Sequence, residues 1–199
     1  MDYDALEKHI LQKLDNELDK RLAYHNTAHT MDVIEATRRL AVLENVNGSN
    51  LTIVKTAALL HDVGMTRSYY NHEEASTKIA EEVLPKYNYS EDSIALVSNI
   101  ILTTKIPQGA KTLEEQILCD ADLDYLGRPD FYMISLRLKY EWDVLGFKPT
   151  TLREWFKIQV EFLSKHNYYT ESARNLRQKM KESHLDQIRE ICSLYNYTP

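Results

Sequence analysis

The sequence predicts an all-α fold, a multi-helix bundle of about nine helices. Three observations carry this. Gly and Pro number only 5 each in 199 residues, about 5% together where about 12% is usual. A β-sandwich or doubly wound sheet needs many tight turns, and this chain lacks the residues to make them. Leu, Ala, Glu and Lys are frequent, and all are good helix formers. Apolar residues also recur at helical spacing along most of the chain. A chain of this length buries enough surface to fold without disulfides.

Taken in order, Leu6, Ile10, Leu14, Leu18 and Leu22 recur every four residues, so residues 3–23 read as one amphipathic helix. A second helix follows Asn26 or Thr27 and runs to about Glu44, with Met31, Ile34, Leu40 and Leu43 on its apolar side. The polar string 45–50 is a loop. A third helix starts near Leu51 and is almost wholly apolar through Leu60, which places it centrally. Gly64 stands where a C-terminal cap glycine is expected. Asn71 caps a helix rich in early Glu that ends before Pro85. Ser90 opens another, ending before Pro107. Thr112 with Glu115 forms a capping box for a helix reaching Leu126. Pro129 takes the first position of the next. Thr151 with Glu154 opens a helix through about His166, and the last runs from about Thr170 to Leu194. Residues 1–199 read as a single domain without internal repeats.

Lys and Arg total 24 against 30 Asp and Glu, a net charge of −6. That disfavours duplex nucleic acid and anionic membrane surfaces, which want a basic face. A small phosphorylated substrate stays compatible if one or two metal ions supply positive charge locally. Cys119 and Cys192 read as reduced, partly buried thiols. The first residues, Met-Asp-Tyr-Asp-Ala-Leu-Glu-Lys, lack the apolar core of a signal peptide. No apolar run is long enough to span a membrane, so the expected location is the cytoplasm. The glycosylation-type tripeptides at Asn47, Asn88 and Asn196 carry no meaning without a secretory signal. Oligomeric state is not legible.

The chemistry concentrates in histidines. Of 7, His25, His29, His61 and His72 fall on elements that otherwise read as core. His61 closes the apolar run from Ala57 to Leu60 and precedes Asp62. An ionisable pair at the end of a buried helix is costly unless it is paired or holds a metal. A hydrogen-bonded His–Asp pair and a metal site both meet that requirement. Mixed imidazole and carboxylate donors suit a borderline divalent ion. Two further donors would come from other helices. His29 lies near the start of the second, and Asp122 sits in the apolar context Ile117 to Leu123.

At these residues the chain resembles the HD-domain superfamily of metal-dependent phosphohydrolases. His29, then His61-Asp62, then Asp122 follow its H…HD…D order. Tyr24-His25-Asn26-Thr27-Ala28-His29-Thr30-Met31-Asp32-Val33 is similar to the YHNxxHxxDV string of cyclic-nucleotide phosphodiesterases and related bacterial HD proteins. Leu60-His61-Asp62-Val63-Gly64 is similar to the HD string, and Cys119 to Leu123 contains the ADL string. A lone HD dipeptide is weak; the three strings in order are specific. The resemblance covers about residues 20–126, and the helices over 129–195 carry no assigned motif.

The resemblance implies an HD-domain-like bundle with His29, His61, Asp62 and Asp122 as ligands of a divalent ion. The donors leave Mn, Fe, Co, Ni, Zn and Mg open. It implies His25 as the general acid that protonates a leaving alkoxide. His72-Glu73-Glu74 replaces the HPG-like continuation of the eukaryotic enzymes and looks more like small bacterial HD proteins. His72 is accordingly expected at a phosphate or a weak second ion, and Glu73 at the attacking water. His72 is the one histidine between Asp62 and Asp122, where dinuclear members usually offer two. Lys105, after Thr103-Thr104, could meet a phosphate or simply be solvated. Asp120 reads as a supporting or capping residue. The implied reaction is hydrolysis of a phosphate ester of a nucleotide or similar small molecule by metal-activated water. A di-iron oxygenase on the same fold and a metal- or nucleotide-binding regulatory module without turnover are the alternatives.

Overall fold

Side-chain caps start several helices where the sequence places them. The computed structural model describes residues 1–194, and among these every regular element is helical. The tripeptide at Asn196 and the end of the expected 129–195 stretch lie outside the described residues. The chain divides into two compact units, one from Met1 to Asp122 and one starting at Leu123. Among the described residues no helix is long and apolar enough to cross a membrane.

The first unit holds α1 (Tyr3–Glu17), α2 (Thr27–Leu43), α3 (Gly48–Leu60), α4 (His72–Val83), α5 (Glu91–Leu102) and α6 (Leu113–Asp122). Helix α3 packs against α1, α2, α5 and α6. Its residues from Ala57 to Leu60 are all 0% exposed, as an apolar helix at the centre requires. Helix α1 stops at Glu17, short of the predicted end at residue 23, because Leu18 turns extended with ψ 139°. Leu18 and Leu22 stay buried all the same, so the spacing holds while the helix does not. On α2 the buried side is Val33, Ile34, Thr37 and Leu40, whereas Met31 and Leu43 are 55% and 49% exposed. Those two belong to the opposite face at 100° per residue.

Helix α3 starts at Gly48, inside the expected 45–50 loop, and α6 ends at Asp122, short of the expected Leu126. Ser90 and the Thr151–Glu154 box cap as read, and Thr112 and Glu115 bond reciprocally. Asn71 occupies the N-cap of α4 but at φ 52°, with no side-chain bond to the helix. Its amide oxygen instead accepts from Lys105.

Gly64 is not a left-handed cap. It lies in the 3-10 turn Val63–Thr66, and its φ is not positive. The glycine is needed for close approach. A Cβ there would meet the His72 carbonyl oxygen at 2.0 Å and the Ser76 nitrogen at 2.6 Å, both backbone atoms that cannot yield cheaply. Gly64→Ala is therefore expected to cost about 1–3 kcal/mol as overpacking, read as a lower urea midpoint. An unchanged midpoint would show that α4 can move away freely.

The second unit holds a 3-10 turn (Asp124–Gly127), α7 (Phe131–Leu145), α8 (Leu152–Lys165), a short α9 (Glu171–Ala173), a π turn (Arg174–Gln178) and α10 (Lys179–Leu194). Helix α7 starts past Pro129, with Asp130 at its N-cap. Trp155, 1% exposed, donates its indole N–H to Ser135 at 3.0 Å. Arg177 grips the buried Asp124 carboxylate with two bonds, of 2.8 and 3.0 Å. Cys119 in the first unit and Cys192 in the second are both buried and free.

Candidate metal centre

Three helices and one turn deliver the predicted donors. Asn26 caps α2 by accepting from the Ala28 and His29 N–H groups at 3.0 and 3.2 Å. That bond pair starts the helix between His25 and His29 and fixes both residues. His61 follows the last residue of α3, and Asp62 precedes the next 3-10 turn. Asp122 is the last residue of α6. Gly64 lets α4 close over the HD pair, and Ser76 ties the join. The Ser76 hydroxyl donates to the His61 carbonyl at 2.7 Å and accepts from the Gly64 N–H at 2.8 Å.

Three of the side chains, those of His29, His61 and Asp122, form one cluster, and Asp62 borders it beside the two histidines. The ligand atoms of His29, His61 and Asp122 lie within 4.8 Å of one another. Asp62 Oδ2 is 3.1 Å from His61 Nε2 and 3.5 Å from His29 Nε2. Asp122 Oδ1 is 3.2 Å from His29 Nε2 and 3.7 Å from His61 Nε2. His61 Nδ1–H donates to the Ala58 carbonyl at 2.7 Å, which turns the Nε2 lone pair toward the cluster, a usual arrangement for a ligating histidine.

Imidazoles and carboxylates perturb one another here. Burial works against a charged His61, yet the Asp62 and Asp122 carboxylates outweigh it and raise its pKa to about 9. Burial likewise opposes ionised Asp62, but His61, His72 and His25 hold it well below the usual carboxylate range. Two imidazoles and two carboxylates grouped in this way are a donor set that fits a borderline divalent ion.

Residues 27–124 match the HD domain family. The chain belongs to the HD-domain superfamily. It is 37% identical over 89 residues to an uncharacterized protein of Clostridium beijerinckii. That match covers 43% of this chain and spans only 56% of the relative's length. The fold is similar to the crystal structure of a predicted HD superfamily hydrolase from an uncultured Thermotogales bacterium, with a TM-score of 0.59 and 23% identity. That likeness covers 94% of this chain and 90% of the other.

In this HD domain the remaining predicted residues fall into two groups. His25, His72 and Glu73 border the cluster. His25 precedes α2 rather than sharing a helical face with His29, and its ring still lies 6.1 Å from that of His29 and 5.6 Å from that of His72. His72 Nε2 is 3.3 Å from Asp62 Oδ1, the carboxylate oxygen turned away from His29 and His61. Burial lowers the His72 pKa, but Asp62 and Glu73 reverse this and bring it to about 9. Glu73 is buried with Oε1 3.7 Å from His72 Nε2. Lys105 stands apart: it is exposed and paired with Glu74 at 2.5 Å. Asp120 is buried at 1% exposure. Ser76, the Ala58 carbonyl and Tyr69 support the site without a sequence signal of their own.

Proposed function

We propose that this HD domain is a metal-dependent phosphohydrolase acting on a phosphate ester of a nucleotide or similar small molecule. The cluster of His29, His61 and Asp122, with Asp62 against both histidines, carries the reading. A divalent ion held there would supply Lewis acidity, activating water and offsetting charge on the phosphoryl oxygens.

The chain's own groups do the rest. Ala58 and Ser76 keep the HD pair rigid, and pre-set donors cost no reorganisation during reaction. His72, whose ring nitrogens meet the Tyr69 carbonyl and Asp62 Oδ1, adds positive charge that offsets the phosphoryl oxygens. Glu73 accepts a hydrogen bond from water and orients it. His25 holds a proton for the leaving oxygen. The sequence has no Gly-rich phosphate loop, so holding the phosphate falls to this cluster.

Elemental analysis of the purified protein, followed by a screen of phosphate esters with each metal added back, tests the reading. Hydrolysis should vanish on chelation and return with the metal. A protein that binds metal and nucleotide but turns over no ester would be the regulatory module instead.

A further inference from the structure

The segment between the HD pair and α4 carries two tyrosines that the mechanism above leaves unused. Tyr69 meets His25 edge-on, with ring centroids 5.9 Å apart and planes at 89°. Tyr70 lies 6.3 Å from Tyr69, its plane at 81°, and is 66% exposed. Tyr70 also lines a surface groove of about 590 Å³ with Arg67, Asn71 and Lys78, a volume in the range of small-molecule sites. Ring contacts thus run from His72 through His25 and Tyr69 to the groove.

The segment is firmly held. The Arg67 and Ser68 N–H groups donate to the Gly64 carbonyl at 2.8 and 3.0 Å. The Ser68 hydroxyl donates to the Tyr70 carbonyl at 2.8 Å. His72 Nδ1–H donates to the Tyr69 carbonyl at 3.2 Å. Arg67 reaches across to Glu82 of α4 with two bonds, of 3.0 and 2.6 Å. A pre-ordered aromatic loses little freedom when a ligand covers it. An aromatic face flanked by Arg67, Lys78, the Asn71 amide and the Glu74 carboxylate offers both donors and acceptors, which suits a flat, polar ring better than an aliphatic chain.

The geometry also says which part of a substrate would lie there. A general acid protonates the leaving oxygen, so the leaving group must sit against His25. Tyr69 is in contact with that same imidazole. We propose that Tyr69 and Tyr70 form the leaving-group subsite and that the leaving group carries an aromatic heterocycle, as the nucleoside of a nucleotide monoester does. This rests on the reading of His25 as the proton donor. A base stacked on one phenol face and met edge-on by the other then selects the substrate, while the cluster beyond His25 holds the phosphoryl group.

The test compares wild type with Tyr69→Leu, Tyr69→Phe and Tyr70→Leu on adenosine 5′-monophosphate and glycerol 3-phosphate. These esters share the phosphoryl group and differ in the leaving alcohol. Each Leu variant should raise KM for the nucleotide about tenfold, the usual weight of a base–aromatic stack, and narrow the preference over glycerol 3-phosphate. Tyr69→Phe should keep that preference. An equal fall on both esters would make Tyr69 a positioning residue for His25 and overturn the subsite, and so would an unchanged KM.

Calorimetric titration of adenosine and of ribose into the same proteins supplies a readout without turnover. Adenosine binding that exceeds ribose binding in wild type, and is lost in the Leu variants, supports the subsite even if no ester is hydrolysed. In that case the phosphohydrolase reading fails alone. Equal binding of adenosine and ribose overturns the subsite, and glycerol 3-phosphate hydrolysis would then leave the phosphohydrolase reading standing.

Discussion

Asp62→Ala is expected to yield a folded protein that retains no divalent ion and hydrolyses no ester. The carboxylate is buried and uses both oxygens, Oδ2 toward His29 and His61 and Oδ1 toward His72. Removing it therefore deletes one proposed ligand and leaves three histidines without the charge that orients them. The loss of a ligand from a four-donor set weakens binding far more than loss of a supporting partner, which typically costs about 10–100-fold. Asp62→Asn separates charge from shape. It keeps the volume and a hydrogen-bonding oxygen, so the fold should survive while metal content falls. Elemental analysis of both variants, with far-ultraviolet dichroism as the folding control, gives the answer. Metal content equal to wild type in either variant would remove Asp62 from the ligand set.

Three of the four proposed ligands, His61, Asp62 and Asp122, are local anomalies, whereas His29 rests on the resemblance of the string from Tyr24 to Val33. His61 and Asp62 end a run of fully buried aliphatics, and Asp122 closes a helix whose Ile117, Leu118 and Cys119 are 0% exposed. A polar group in such a string needs a reason that the one-dimensional pattern already demands. Helix starts were legible for a similar reason, since Asn26, Ser90 and Thr151 satisfy free N–H groups within three residues. What escaped is whatever depends on backbone or on packing between elements. The Ala58 carbonyl that orients His61 has no letter of its own. Ser76 is one serine among several until α4 is laid against Gly64. Gly64 itself was visible, but the cap and the close-packing reading predict the same letter, and only the modest space beside His72 and Ser76 separates them. Likewise the spacing through Leu18 and Leu22 reports burial, which holds, and not hydrogen bonding, which stops at Glu17.

His25→Ala should keep the metal and lose roughly 10²–10⁴ in rate, the usual weight of general acid catalysis. His25 stands outside the four-donor cluster, with its ring 6.1 Å from that of His29 and 5.6 Å from that of His72. Metal content should accordingly be unaffected. The rate loss should depend on the leaving group. An alkoxide leaves poorly and needs a proton as the P–O bond breaks, so an alkyl ester should suffer the full loss. A nitrophenolate is stable without a proton, so the same variant should hydrolyse a nitrophenyl ester with a much smaller loss. His25→Gln sharpens the comparison, because it retains a hydrogen-bond donor but has no titratable proton to give. If it behaves like the alanine variant on alkyl esters and like wild type on nitrophenyl esters, proton donation is the role of His25. An equal loss on both ester types would instead make His25 a group that positions the substrate, and it would also move the leaving oxygen away from Tyr69. The two ester classes thus report on one imidazole by the pKa of what departs beside it.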